Sequence, residues 1–249
     1  MNHPTKARVR IIGIGMGPRH VTPEAADALR DADYVIAAEK REGDALLAIR
    51  REIASTYGVP VVAVADPARD REAAGDGGYV DAVAGWHAAR VAAYEEVLAE
   101  RQGTAAFLVW GDPAFYDSTI RIVEAIAQRE VVEVDYDVVP GISALQLLAA
   151  RHRIVLHDIG QPLHVTTARR LSEAIAAGND NLVVMLGGEP ALDGLDDWWI
   201  WWGANLGTTT EELVAGRVGD VLSDLESARG RAKDSAGWVM DIFMLRGPA

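Results

Sequence analysis

The chain has no cysteine among its 249 residues, which excludes disulfide bonds and thiolate metal sites. No apolar run reaches the roughly eighteen residues that a membrane-spanning helix needs. Positive charge is scarce: 24 Lys and Arg stand against 37 Asp and Glu, a net charge of −13. That balance argues against a nucleic-acid or anionic-membrane partner, because both reward a basic surface. His87, His152, His157 and His164 share no metal-ligand spacing, so no metal is expected. A G-x-S-x-G elbow and a P-loop are both missing, and with them the ordinary signatures of nucleophilic and phosphoryl-transfer catalysis. The N-terminal residues lead straight into a strand and leave no room for a signal peptide, so a cytoplasmic protein is expected.

What is present is an alternation of strand and helix signals. With 49% hydrophobic residues, the chain has enough material for one large α/β domain or two of about 110–140 residues. Val9–Ile14 reads as a strand, and Thr22-Pro23 supplies an N-cap and a first-turn proline for a helix to Asp31. Tyr34–Ala38 is a second strand, Asp44–Tyr57 a helix stopped by Gly58, and Val59–Ala65 a third strand. Asp66–Gly78 is polar and glycine-bearing and reads as a surface excursion, after which Tyr79–Gln102 has helical periodicity. An apolar strand from Ala105 stops at Gly111-Asp112-Pro113, and Asp117 or Ser118 then caps a helix to Arg129. The strand Val131–Val139 closes the first half.

Pro140-Gly141 reads as a hinge between an N-terminal α/β domain, residues 1–139, and a C-terminal α/β domain, residues 140–249. Helix Ser143–Ala150 leads to a short run at Ile154–His157. Strands are expected at Leu163–Thr166, Leu182–Leu186, Trp199–Trp202, Glu212–Val218 and Trp238–Leu245, with helices Ala168–Ala177 and Asp220–Arg229 between them. Adjacent strands predict a mixed sheet here, against a largely parallel one in the first half.

Three glycine-bearing turns stand out: Gly13-Ile14-Gly15-Met16-Gly17, Gly111-Asp112-Pro113 and Pro140-Gly141-Ile142-Ser143-Ala144. Each follows a strand, the place where open α/β sheets bind ligands. The first invites a dinucleotide reading, with Glu39 as the ribose acid. However, the third glycine of that pattern would fall at Pro18, and the helix begins too late for its amides to meet a pyrophosphate. The stretch Trp198-Trp199-Ile200-Trp201-Trp202 reads as core plus subunit interface; its flat faces also suit stacking on a large ligand. The basic clusters Arg151-His152-Arg153 and Arg169-Arg170 read either as a helix C-terminus and a solvated helical turn, respectively, or as holders of a polyanionic ligand.

In this order and at these spacings, the turns resemble those of the tetrapyrrole (corrin/porphyrin) methylases that use S-adenosylmethionine. The resemblance runs from about Arg10 to Arg246 and includes Trp86-His87-x-x-Arg90-x-x-x-Tyr94-Glu95, Tyr116-Asp117-Ser118-Thr119, Thr166-Thr167-x-Arg169-Arg170-Leu171 and Trp201-Trp202-Gly203-Ala204. Gly237-Trp238-x-Met240-Asp241 closes it. Many members read Gly-x-Gly-Pro-Gly in the first turn, where this chain has Met16, and Gly187-Gly188-Glu189 also departs from the pattern.

The resemblance implies a two-domain α/β homodimer with the methyl donor in the cleft between domains. It assigns donor contacts to Gly111, Asp112, Phe115, Ser118, Thr119, Ile142, Ser143, Ala144, Met185, Ala204, Gly207 and Thr208. It implies C-methylation of precorrin-5 at C1 in cobalamin biosynthesis, with the neighbouring acetyl group lost as acetate to give precorrin-6A. Position near the cleft makes Asp117, Tyr116 and His152 candidates for the general base. Arg151, Arg153, Arg169 and Arg170 would hold the carboxylates of the tetrapyrrole, and Met16 and Gly17 would border it. Other readings stay open: another precorrin position or acceptor on the same fold, a donor-binding module without turnover, or an NAD(P)-binding oxidoreductase.

Overall fold

Strand β1 (Thr5–Gly13) sits within a five-stranded sheet in the computed structural model of the chain. The structure describes residues 5–39, 44–67, 75–186 and 192–248, with backbone alone for Thr5 and residues 75–84. Strands β2 (Tyr34–Glu39), β3 (Val61–Ala65), β4 (Thr104–Val109) and β5 (Val132–Val139) complete the sheet in the order β3-β2-β4-β1-β5, and every pairing is parallel. Contacts divide the chain into two units, Met1–Ile142 and Ser143–Ala249.

Both faces of the first sheet are covered, which is why its central strands read as continuous apolar runs. In β1, Val9 and Ile11 point to one face and Ile12 to the other; in β4, Ala105, Phe107 and Val109 alternate with Ala106 and Leu108. Helices α1 (Pro23–Arg30) and α2 (Ala45–Thr56) close the face carrying Ile12 and Leu108. Helices α3 (Gly75–Glu100) and α4 (Thr119–Arg129) close the face carrying Ile11 and Phe107. Thr22 caps α1 as expected, its side chain accepting from the Ala25 amide at 3.1 Å.

The second unit holds a five-stranded mixed sheet. Its strands are β6 (His164–Thr167), β7 (Asn181–Met185), β8 (Trp199–Ala204), β9 (Glu212–Arg217) and β10 (Asp241–Arg246). The order is β6-β7-β10-β8-β9, and only β6 and β7 pair in parallel. Helices α6 (Leu171–Ala176) and α7 (Val218–Ala236) bury Ile200, Trp202, Phe243 and Leu245 on one face. Helix α5 (Ala144–His152) brings Leu148 against Gly203. Of the tryptophan run, Trp202 is fully buried and Trp198 packs on the same core, whereas Trp199 and Trp201 face away with ring centroids 5.9 Å apart.

Several expected boundaries move. Helix α3 already begins at Gly75, so the end of the expected excursion Asp66–Gly78 is helical; residues 68–74 lie outside the described part. Glycine costs a helix only about 1 kcal/mol, which a helix this long absorbs. Helix α7 likewise runs through Gly230 and stops at Gly237, whose φ of 71° ends it, so Arg229 is not its terminus. The stretch expected as one helix from Ala168 opens with a 3-10 turn, Ala168–Arg170. The strand β10 starts three residues later than expected, at Asp241. Gly187-Gly188-Glu189 lies outside the described residues.

Candidate active site

The three turns of the first unit meet at the carboxyl ends of β1, β4 and β5. Gly15 and Gly111 form an antiparallel bridge, exchanging backbone hydrogen bonds of 3.2 and 2.8 Å. A side chain at Gly13 would come within 2.6 Å of the Gly141 amide, and one at Gly141 would run into the Gly111 carbonyl. Only glycine permits three backbones to pack this closely. Asp112 fastens the arrangement: Oδ2 accepts the Gly141 amide at 2.9 Å and Oδ1 the Ala114 amide at 2.8 Å.

Beyond Pro113 the chain passes Phe115, half-buried, and Tyr116, whose φ of 50° is a left-handed conformation uncommon outside glycine. The Tyr116 side chain is exposed. Asp117 caps α4, Oδ1 accepting the Thr119 amide at 2.7 Å, whereas Ser118 in the capping position makes no such bond. The expected pair of capping candidates therefore resolves to Asp117, because its longer side chain reaches the amide two residues on. Met16 is buried, and Gly17 accepts the His20 amide in the 3-10 turn Pro18–His20 that separates the first turn from α1.

In the second unit, strands β7 and β8 run in the same direction on either side of β10, so their carboxyl ends share one sheet edge. That brings Met185 and Ala204 to the same edge. Ser143 is committed to a capping box at the start of α5: its amide and hydroxyl both donate to the Gln146 side chain at 2.8 Å. Ala144 opens the helix, half-buried, as is Ile142, the last residue of the first unit.

At the other end of α5, His152 Nε2 donates to the Trp202 carbonyl at 3.0 Å. Burial pushes the imidazole pKa down, outweighing that bond and the nearby Glu211, which act upward. Arg151 Nε donates to Glu211 Oε1 at 2.7 Å, and Glu211 Oε2 accepts the Gly207 amide at 2.6 Å. Arg153 follows in left-handed conformation and is exposed. Arg169 and Arg170 lie in the 3-10 turn after β6, with Arg170 forked onto Glu173 at 2.8 and 2.9 Å.

The loop after β8 turns on Asn205, buried with φ 49°. Its Oδ1 accepts the Met240 amide at 2.9 Å, and its carbonyl accepts the Thr208 hydroxyl at 2.8 Å. Sequence reasoning passed over Asn205 and Glu211. The signal for Asn205 was the tolerance of asparagine for left-handed backbone beside Gly207; Glu211, sixty residues from Arg151, carried none. Among the described residues no group of three His, Asp or Glu is set to hold a metal ion, and no helix is long and apolar enough to cross a membrane.

A sequence model of the Tetrapyrrole (Corrin/Porphyrin) Methylases matches residues 8–222. The chain is 43% identical over 250 aligned positions to the precorrin-6A synthase [deacetylating] of a Sinorhizobium species, covering 96% of this chain and 95% of that one. Its structure is similar to that of a putative cobalamin synthesis related protein (CobF) from Corynebacterium diphtheriae. That match has TM-score 0.82 and 36% identity, covering 97% of this chain and 99% of the other. A cobalt precorrin-4 methyltransferase shares the fold at TM-score 0.63 and 17% identity, covering 96% and 94% of the two chains.

Proposed function

Because the chain belongs to the tetrapyrrole (corrin/porphyrin) methylases, we infer that it is an S-adenosylmethionine-dependent C-methyltransferase of cobalamin biosynthesis. It methylates precorrin-5 at C1 and releases the neighbouring acetyl group as acetate, the reaction of a precorrin-6A synthase (deacetylating). The carrying observation is the packing of Gly13, Gly111 and Gly141 at three strand ends, in a chain alike over 96% of its length to a precorrin-6A synthase.

The turns suit a sulfonium nucleoside. Their close-packed glycines present neutral peptide groups, and Asp112 spends both oxygens on amides of the turns themselves. Gly111, Asp112, Phe115, Ser118, Thr119 and Ile142 of the first unit are proposed to contact the donor. The same role is proposed for Ser143, Ala144, Met185, Ala204, Gly207 and Thr208 of the second. The bound donor supplies an electrophilic methyl group. The residues then have to hold the acceptor carbon in line with it, a contribution worth roughly 7–11 kcal/mol, and to move protons.

For the proton transfers, His152 has its Nε2 fixed as a donor, which leaves Nδ1 as the basic nitrogen of a ring whose pKa burial lowers. Asp117 offers the carboxylate oxygen that does not cap α4, and Tyr116 an exposed phenol. Arg151, Arg153, Arg169 and Arg170 are proposed to face substrate carboxylates, Arg151 and Arg170 while remaining attached to Glu211 and Glu173. Met16 and Gly17 border the substrate. On the family resemblance the enzyme is a cytoplasmic homodimer. A dinucleotide reading is disfavoured by the start of α1 at Pro23, six residues past the last glycine of the first turn and beyond the 3-10 turn.

The test is incubation with precorrin-5 and a methyl-labelled donor. Label in the corrin together with released acetate supports the assignment. Label without acetate would move methylation to another position, and neither would remove the function.

A further inference from the structure

In the first sheet, β2 and β4 part company before their carboxyl ends. Their pairing ends at Ile36 opposite Phe107, while β2 stays with β3 to Glu39 and β4 stays with β1 to Val109. The chain leaves β2 for α2 on one face of the sheet and leaves β4 for α4 on the other. Adjacent parallel strands whose connections depart to opposite faces open a crevice at their carboxyl ends, the general ligand position of such sheets.

Arg50 of α2 reaches into this crevice. Its Nε donates to the Leu108 carbonyl at 2.8 Å, the group released where the β2–β4 ladder stops. Asp44, Asp117, Tyr94 and Arg90 are all close enough to act on its charge, and burial works against that charge more than any of them. No carboxylate among the described residues forms an ion pair with Arg50, and its remaining N–H donors have no hydrogen-bond partner there. Arg90, by contrast, is committed: its Nε donates to Asp66 at 2.6 Å, and its guanidinium lies 4.3 Å from the centre of the Trp86 ring. A half-buried guanidinium with donors to spare, at the ligand end of a sheet in a chain of net charge −13, is suited to a carboxylate brought by a ligand.

We propose that Arg50 anchors a side-chain carboxylate of the tetrapyrrole substrate through the N–H groups left over from its bond to Leu108. This rests on the methyltransferase reading given above and adds to it a specificity-determining contact in the first unit. The Leu108 carbonyl fixes the guanidinium by Nε, so that its outer edge is presented in a set orientation to a planar anion. Lysine in its place would keep the charge and lose that orientation.

The experiment compares wild type, Arg50→Lys and Arg50→Gln. Three readouts are taken: KM for precorrin-5, affinity for uroporphyrin III by tryptophan quenching, and affinity for S-adenosylhomocysteine by calorimetry. Arg50→Gln is expected to raise KM and the uroporphyrin Kd roughly tenfold or more, the size of a lost charged hydrogen bond, with Arg50→Lys between it and wild type. S-adenosylhomocysteine affinity stays unchanged, which also shows that the variants are folded. Unchanged KM and uroporphyrin affinity in Arg50→Gln, or an equal loss of S-adenosylhomocysteine binding, overturns the proposal. Acetate release by the wild type reports on the reaction separately. If it is missing, the uroporphyrin titration still decides for or against Arg50, and a wild type that does not bind this polycarboxylate decides against.

Discussion

Asp112 and Gly141 are joined by a 2.9 Å hydrogen bond from the glycine amide to the carboxylate, across twenty-nine residues of sequence. The bond ties the turn after β4 to the turn after β5, and the other oxygen of Asp112 holds its own turn through Ala114. One side chain thus ties together the two turns of the first unit that are proposed to contact the donor.

Replacing Asp112 by alanine leaves two amides without that acceptor. The expected result is a loss of S-adenosylhomocysteine affinity of roughly tenfold, the scale of one charge-assisted hydrogen bond, measured by calorimetry. Asp112→Asn keeps one acceptor oxygen and should fall between alanine and wild type.

Gly141→Ala is a packing test of the same place. The new methyl would meet the Gly111 carbonyl and the Gly13 backbone, neither of which can swing aside. Overpacking of this kind costs about 1–3 kcal/mol and should lower the melting temperature by about 5 °C. Gly85→Ala in α3, where nothing lies within 4 Å of the added carbon, should instead leave stability equal or raise it.

Glu211 connects Arg151 to the loop containing Gly207 and Thr208. Glu211→Ala releases both, and a weakening of S-adenosylhomocysteine binding by roughly tenfold is expected. Glu211→Gln preserves an acceptor for the Gly207 amide and should lose less. Equal affinity in all three proteins would show that the loop does not depend on this carboxylate.

His152 predicts a pH dependence of stability. Burial, the leading cause, holds its pKa below the ordinary 6.5. Between the folded and unfolded values the unfolded chain binds more protons, so the stabilisation present above 6.5 is lost as pH falls through the folded value. Melting curves recorded from roughly pH 8 down to pH 5 should therefore converge for wild type and His152→Gln as the medium becomes acidic. A wild-type advantage that grows on acidification would mean the ring is stabilised in its charged form.

The turn chemistry was readable because glycine after an apolar strand has few other meanings. Gly13, Gly111 and Gly141 marked strand ends that pack closely together, and the strands before them were found within a few residues. Helix length was harder. Gly230 lies just past the expected end of its helix and Gly77 and Gly78 within the expected excursion, yet helices include them; along α7, burial at Leu225, Ala228 and Ala232 outweighs a local preference. Arg50 was not legible at all. Its position matters only because β2 and β4 separate, and strand order is a property of the assembled sheet. The pair Arg151 and Glu211 escaped for the same reason: two charged residues sixty positions apart signal nothing until a helix end and a loop meet.

The account turns on the claim that close-packed glycine turns at the ends of β1, β4 and β5 belong to a site for a sulfonium nucleoside. Calorimetric titration of the purified chain with S-adenosylhomocysteine, run beside NAD and NADP, tests this most directly. Saturable binding of S-adenosylhomocysteine, weakened by Asp112→Ala, with no binding of either dinucleotide, is the predicted result. Silence toward S-adenosylhomocysteine at millimolar concentration, or saturable binding of a dinucleotide in its place, would contradict it.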